Sequence, residues 1–249
     1  MQAFAIARAT IQELLRRRNA VIMLVALPLA FYLARRDIPS SAIVVLALGV
    51  GWAVSTLALF STVNAIEFDG RLRVAGFTTR AILFGRVFAV LLFGVVLSCA
   101  YLGLAILDQD VARPGGVALM MLCAVLVGAP LGVAIGLLLR SELEGALALL
   151  IVLATQFMTN PERLLAHCLP LWSVRGVAEW AIWSADSSHL LDGLGHGAGT
   201  VTLLITIITI ASTFRLRIHP PHQVLRLRTH ARADPSPWTR GSAERSGDL

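Results

Sequence analysis

No lysine occurs among the 249 residues of the chain, and all 21 basic residues are arginines. This absence excludes enzyme classes that depend on a lysine, such as P-loop nucleotide hydrolases, Schiff-base enzymes and protein kinases. The three cysteines, Cys99, Cys123 and Cys168, form no closely spaced pair, so the sequence predicts neither a disulfide framework nor a zinc site. Charged residues are also scarce, at 14% of the chain against roughly 25% in an ordinary soluble domain.

The chain is instead rich in apolar residues, which make up 57% of it and give a mean hydropathy of +0.76. A bilayer core about 30 Å thick requires roughly 20 apolar helical residues for each crossing. On this criterion the sequence predicts an all-α polytopic membrane protein with six transmembrane helices. The predicted crossings are residues 20–34, 42–66, 87–107, 117–139, 145–159 and 197–214.

Arginine is distributed unevenly between the two sides of this topology. The two terminal segments, the loop after the second crossing and the turn after the fourth carry 16 arginines, whereas the other side carries 5. Because positive charge near helix ends resists export, we expect both termini to be cytoplasmic. The net charge of +6 then faces anionic membrane lipid, and no nucleic-acid partner is expected. An arginine-only set of basic residues is typical of a GC-rich bacterial genome, so we expect a bacterial plasma membrane location.

Three segments are predicted along the chain. Residues 1–19 form an amphipathic helix in the cytoplasmic interface, residues 20–218 the six-helix transmembrane domain, and residues 219–249 a basic, disordered cytoplasmic tail. For the first segment the alternative is a plain basic flank that only fixes topology. The helix prediction depends on an apolar stripe of Phe4, Ala7, Ile11, Leu14 and Leu15.

Residues 67–86, between the second and third crossings, alternate charged and apolar side chains. Such a segment is able to bury one face and present the other to a partner, so we interpret its first part as a docking surface. An ordinary positive-inside loop is the alternative. The predicted docking residues are Glu67, Phe68, Asp69, Gly70, Arg71, Leu72 and Arg73.

Two further features concern packing. In the fourth crossing Gly128, Gly132 and Gly136 recur at every fourth residue, a pattern that favours close approach of a neighbouring helix. Residues 160–197, between the fifth and sixth crossings, are too polar to span the membrane yet rich in leucine and tryptophan. Since tryptophan favours the headgroup region, this stretch predicts two short interfacial or re-entrant helices on the outer side.

The polar residues of the crossings carry hydroxyl and amide groups, and the sequence contains neither a His-Glu-x-x-His nor a Gly-x-Ser-x-Gly motif. We therefore expect this chain to be no enzyme and to hold no metal. His189, Asp192 and His196 share the spacing of one helix face, but we interpret them as exposed polar residues. Hydroxyls in the crossings either line a transport pathway or bond back to their own helix. The pathway candidates are Thr56, Asn64, Thr155, Gln156 and Thr159.

Three stretches of the chain follow one another in a characteristic order. The first contains Glu67, Gly70, Leu72, Thr78-Thr79 and Ile82-Leu83-Phe84-Gly85-Arg86. The second, residues 136–150, is a glycine-containing helix followed by an Arg-Ser-Glu turn and an Ala/Leu helix. The third is Leu169-Pro170-Leu171-Trp172. In this order they resemble the membrane subunit of ABC-2 type ATP-binding-cassette exporters, over the chain up to about residue 218.

The resemblance implies a permease subunit that works with a separate cytoplasmic ABC ATPase subunit and with a second permease, either an identical copy or a homologue. ATP and Mg would bind to the ATPase, and this chain would hold no cofactor. Closure of the ATPase would press on the loop after the second crossing, and crossings two and five would flank the export route. An uncharged route suits an amphipathic or apolar cargo, such as a drug, an antibiotic, a lipid or a lipid-linked glycan. The alternative function is a non-transporting membrane anchor or immunity-type protein that binds a cytoplasmic partner through the same loop.

Overall fold

The computed structural model describes residues 2–16, 18–139, 141–159, 164–183 and 186–215, and within these ranges the chain is helical and has no strand. The predicted all-α class is therefore confirmed, while the predicted tail, residues 219–249, lies outside the described residues. In chain order the helices are α1 (Gln2–Arg16), α2 (Arg18–Ala34), α3 (Pro39–Asn64), α4 (Ile66–Val74), α5 (Thr79–Asp108), α6 (Pro114–Leu138), α7 (Glu142–Met158), α8 (Leu164–His167), α9 (Trp172–Ala181) and α10 (Ser187–Arg215).

Helices α3, α5, α6 and α10 are long and apolar enough to cross a membrane. The α1–α2 pair, bent by 76° at the break between the two helices, raises the number to five if it forms one broken span. Helices α2 and α7 have 17 residues each, a length of about 25 Å, which is shorter than the hydrocarbon core. The four to five helices that are long and apolar enough to cross indicate a membrane-embedded protein. The six predicted crossings stay a prediction.

Contacts between turns distinguish the two ends of the bundle. Arg36, after α2, forms a salt bridge with Asp108 at the end of α5. Arg113, before α6, donates a hydrogen bond to the backbone oxygen of Trp180 in α9 at 2.8 Å. We call this end of the bundle the α9 end. At the opposite end, which we call the α4 end, α3 finishes, α4 follows and α5 begins.

Helix α3 forms the centre of the bundle, because it contacts α2, α5, α6 and α7. Of the apolar residues that qualify α3 and α6 as membrane spans, 83% and 72% are buried within the protein, against 28% in α5 and 17% in α10. The protein core is thus built on the α3–α6 pair. Helices α5 and α10 have few fully buried residues in their apolar stretches, as expected for helices at the outside of a membrane bundle.

Glycines allow α3 and α6 to approach closely. The tightest position is Gly132, where an added Cβ would overlap the backbone oxygen of Ser55 and lie 2.7 Å from the Cβ of Ala58. Cβ atoms essentially never come closer than 3.0 Å to a non-bonded heavy atom, so a side chain here would push the two helices apart. The α6 glycines at which an added Cβ would come within 3.0 Å of α3 are Gly128, Gly132 and Gly136.

Two long helices begin earlier than the predicted crossings. Helix α5 starts at Thr79 instead of residue 87, and α10 starts at Ser187 instead of residue 197. The apolar criterion marks the part of a helix suited to hydrocarbon, whereas the backbone hydrogen bonds continue into polar flanks. Thr78 gives a local signal for the start of α5, because its hydroxyl accepts a hydrogen bond from the backbone N–H of Ala81 at 3.2 Å.

Helix α1 packs mainly against α5. Of the predicted interfacial stripe, Ala7 and Leu14 are buried within the protein, whereas Phe4 and Leu15 expose 73% and 63% of their surface. An added Cβ at Gly85 of α5 would lie 2.5 Å from the backbone oxygen of Ala3, so α1 lies directly on α5 there. Apolar residues occupy two sides of α1, and sequence periodicity does not decide which side meets the protein. The buried residues of α1 are Ile6, Ala7, Thr10 and Leu14.

Two short helices, α8 and α9, lie in the stretch predicted to hold them, of which residues 160–163 and 184–185 are outside the described part. Helix α9 is largely buried against α6 and α10. An added Cβ at Gly176 of α9 would lie 2.8 Å from the Cα of Gly193, so α9 and α10 are in backbone contact. The polar residues from Ser187 onward belong to the first turns of α10 and not to the connecting segment.

Candidate functional site

The residues predicted to dock a partner lie on α4, the nine-residue helix between α3 and α5. Gly70 and Arg71 are exposed, Leu72 and Arg73 are half-buried, and Val74 exposes 81% of its surface. In the part that the structure describes, the backbone of α4 makes few close approaches to the other helices. The described part of α4 therefore offers surface to a partner at the α4 end. The docking residues whose side chains lie outside the described set are Glu67, Phe68 and Asp69.

A tight turn joins α4 to α5. Gly76 has a φ of +89°, a left-handed conformation that glycine adopts without the steric cost of a side chain. The backbone N–H of Phe77 donates to the backbone oxygen of Leu72 at 3.0 Å. The side chain of Gln2 donates to the Gly76 oxygen at 3.4 Å and accepts from the Thr78 N–H at 3.5 Å. The first turn of α1 and the ends of α4 and α5 therefore meet at this turn.

The three threonines predicted to line a pathway all donate their hydroxyl hydrogen to their own helix. Thr56 donates to the backbone oxygen of Trp52 at 2.9 Å, and Thr155 to that of Ile151 at 2.8 Å. Thr159 donates to the oxygen of Thr155 at 2.7 Å. Each hydroxyl oxygen keeps acceptor capacity, but its hydrogen is already used within the helix.

The two pathway amides lie toward opposite ends of the bundle. At the α4 end, the amide nitrogen of Asn64 donates to the Phe60 oxygen at 2.8 Å and also to the carboxylate of Glu142, the first residue of α7. Gln156 lies in the last turn of α7, two residues before its end, with 1% of its surface exposed. Within the described ranges its side-chain oxygen has no hydrogen-bond partner. Gln156 and Glu142 are roughly 21 Å apart along α7, so the amides form no single site.

Arg175 of α9 closes the end of α7. Its guanidinium donates to the backbone oxygens of Gln156 at 2.8 Å and of Thr159 at 3.3 Å. The last carbonyls of a helix lack partners within it and carry partial negative charge, so a cation is favoured there. Burial lowers the pKa of the Arg175 guanidinium, and the nearby carboxylate of Glu179 acts against this shift. Arg175 thus fixes α9 to the helix that carries three of the predicted pathway residues.

A second polar contact joins α2 to α5 at the α9 end. Tyr32, with 1% of its surface exposed, donates its hydroxyl to a carboxylate oxygen of Asp108 at 2.7 Å. Arg36 donates its Nε to the same oxygen at 3.0 Å and contacts the second oxygen through Nη2. The carboxylate therefore receives donors from two residues of the α2 side, which favours its charged form and ties the two helices together.

The three residues weighed as a metal candidate do not converge. His196 donates from Nε2 to the backbone oxygen of His167 at 2.8 Å, and its ring meets that of Trp172 edge to face. His189 and Asp192 are exposed on α10. Across the residues that the structure describes, no three His, Cys, Asp or Glu side chains are placed to hold a metal ion.

Sequence reasoning did not identify three of the polar residues that the fold positions. Arg86 was assigned to a cytoplasmic flank, yet it lies inside α5 and exposes only 2% of its surface. Glu142 was noted in the Arg-Ser-Glu turn, but nothing local pairs it with Asn64. Arg175 was counted only for topology, although an arginine within a short apolar segment is itself a signal of a specific partner.

The described polar contacts hold the helices together. The described residues at the end of α4, by contrast, are exposed or half-buried. Neither a catalytic pair nor a charged pore lining emerges from the contacts of the described residues. No protein-family model and no curated protein matches this chain. Its function is therefore inferred from its own residues and geometry.

Proposed function

We propose that the chain is the transmembrane permease subunit of an ATP-driven exporter of the ABC-2 type. In this proposal it works with a separate cytoplasmic ABC ATPase and with a second permease chain in a bacterial plasma membrane. Helices α2 and α7 also cross, which gives six crossings with both termini in the cytoplasm. The observation that carries the proposal is α4, a short, charged and little-packed helix inserted between two membrane-capable helices.

The connections of α4 support a role in transmitting force. Only Ala65 separates α4 from α3, and the turn at Gly76 joins it closely to α5. Gln2 brings α1 to the same turn. A partner that pushes on α4 therefore acts on three helices at once, among them the central α3. Movement driven from a partner in this way requires no nucleotide site on the chain itself, in keeping with the absence of lysine.

The contact between α3 and α7 is the proposed flank of the export route. The predicted pathway residues of these two helices carry amides, and hydroxyls that are bonded within their own helices, and the Glu142 carboxylate at the α4 end is paired with Asn64. Hydroxyls whose hydrogens are already used and a carboxylate that is already paired offer little to a bare ion, which needs charged or converging ligands. We therefore propose an amphipathic or apolar cargo, with ATP and Mg bound to the ATPase partner.

A matched pair of substitutions tests the role of α4. Val74→Asp places a charge on the exposed surface of α4, whereas Ile38→Asp places one on the α2–α3 turn at the opposite end. The parent residues are both exposed, at 81% and 52% of their surface, so neither variant disturbs the core. We expect an ABC ATPase to copurify with the tagged full-length chain and with Ile38→Asp, and its yield to fall at least tenfold with Val74→Asp.

Three outcomes would contradict the proposal. They are ATP hydrolysis by the isolated chain, the absence of any ABC ATPase from the purified complex, and equal ATPase yield from the two variants. Copurification without ATP-dependent movement of any fluorescent apolar probe in reconstituted vesicles would favour the membrane anchor instead. The ATPase is identified by mass spectrometry of the purified complex, and hydrolysis is measured as phosphate release.

A further inference from the structure

The bend between α1 and α2 forms an apolar cavity against α5, with a volume of about 180 Å³. It opens at the protein surface, since Leu15, Leu92 and Val96 expose 63%, 46% and 63% of their surface. The lining is apolar on all three helices and includes Leu14 and Leu15 of α1, Val21 of α2, and Leu92 and Val96 of α5.

The size and lining of this cavity favour a hydrocarbon occupant. An apolar protein cavity of about 150 Å³ stays free of water and binds benzene, so this one accommodates a body of roughly six carbons. Water is disfavoured because it finds no hydrogen-bond partners among such side chains. The opening lies on the exposed apolar surface of α5, whose composition fits contact with lipid tails. An acyl chain is the hydrocarbon available at such a surface.

Two arginines lie close in the chain to residues that line the cavity. Arg16 directly follows the lining residue Leu15, and Arg18 lies one turn before the lining residue Val21. Both arginines are exposed. Guanidinium groups bind phosphate oxygens in bidentate geometry. The bend thus combines an apolar cavity with exposed arginines close to it in the chain, a combination that suits the two parts of an anionic phospholipid.

We infer that this cavity binds one acyl chain of an anionic membrane phospholipid whose phosphate contacts Arg16 and Arg18. The bound chain fills the angle between α1 and α2 and so stabilises the position of α1 on α5. This inference depends on a membrane setting and not on the proposed export function, so the two fail independently.

Two adjacent valines of α5 give a matched test of the cavity. Val96 lines the cavity and Val95 does not, and both are exposed, at 63% and 39% of their surface. The full-length chain is reconstituted in vesicles of equal phosphatidylglycerol and phosphatidylcholine, extracted in mild detergent, and its retained lipid counted by native mass spectrometry. We expect one retained phosphatidylglycerol per chain in the wild type and in Val95→Trp, and at least a tenfold loss in Val96→Trp.

Arginine substitutions test the headgroup contact separately. Arg16→Gln and Arg18→Gln should each lower the preference for phosphatidylglycerol over phosphatidylcholine about fivefold, the effect of one arginine near an anionic surface. Arg35→Gln, an exposed arginine in the α2–α3 turn, should leave the preference unchanged. Leu92→Trp serves as a second cavity variant if Val96→Trp does not give a folded protein. Equal retention by the Val95 and cavity variants, or equal retention of both lipids by the wild type, would overturn the inference.

Discussion

Replacing Gly132 by alanine would place a methyl group in the tightest part of the α3–α6 contact. The added Cβ would overlap the Ser55 oxygen and lie 2.7 Å from the Ala58 Cβ, whereas ordinary contact begins at 3.4 Å. Relief of the Ala58 contact alone requires the helices to separate by roughly 0.7 Å. Since the neighbouring atoms belong to backbone or Cβ positions, no side-chain rotation removes the clash.

The cost follows from two opposing effects. Overpacking a well-packed core costs about 1–3 kcal/mol, and the overlap with a backbone oxygen favours the upper end of that range. Alanine in place of glycine stabilises a helix by up to ~1 kcal/mol. We therefore expect Gly132→Ala to lower the free energy of unfolding by about 2 kcal/mol. Gly199→Ala in α10 is the control, because an added Cβ there meets nothing within 4 Å and only the gain of up to ~1 kcal/mol applies.

The assay is reversible unfolding of the purified chain in mixed micelles, followed by the loss of helical circular dichroism as the fraction of sodium dodecyl sulfate rises. The two variants should differ by about 3 kcal/mol in unfolding free energy. If Gly132→Ala proves as stable as Gly199→Ala, the spacing of α3 and α6 does not depend on the missing side chain. The account of the glycines as packing residues would then be wrong.

Two further substitutions test the local contacts by the same titration. Arg175→Gln removes the guanidinium from the α7 carbonyls and should lower the free energy of unfolding by about 1–3 kcal/mol. The exposed control Arg35→Gln should stay within about 0.5 kcal/mol of the wild type. Equal effects of the two substitutions would argue against the contact of Arg175 with the end of α7. Gly76→Ala should cost about 1 kcal/mol because of its positive φ, while Gly70→Ala, in open space within α4, should be neutral or slightly stabilising. Indistinguishable stability of the two glycine variants would contradict the left-handed turn.

Long apolar runs predicted the central helices well. The crossings at 42–66 and 117–139 correspond to α3 (Pro39–Asn64) and α6 (Pro114–Leu138). In both helices a proline stands at the first helical position, where its missing N–H and fixed φ suit a helix start. The apolar runs did not predict the first turns of α5 and α10, which are polar. Helical hydrogen bonding extends beyond the apolar stretch into these turns. The Thr78 cap was a usable signal that the apolar criterion ignored.

The candidate site was predictable only where its signals were local. The run from Glu67 to Arg73 is a helix of its own, and its charged and apolar pattern indicated a special segment without fixing its packing. The contact of Asn64 with Glu142 joins residues far apart in the chain, and so does that of Arg175 with the end of α7. Periodicity and composition do not predict such pairs, because the pairs depend on which helices become neighbours in the fold.

The distribution of close contacts indicates where relative motion would meet least resistance if the export proposal holds. The glycine contact around Gly132 interlocks α3 and α6, so sliding one along the other brings backbone atoms into collision. A push on α4 would then move α3 and α6 as one body. The contact of α3 with α7 is less extensive and includes the pairing of Asn64 with Glu142, while Arg175 holds the far end of α7 to α9. Opening between α3 and α7 at the α4 end, where α4 receives the push, would therefore require the Asn64–Glu142 pairing to break.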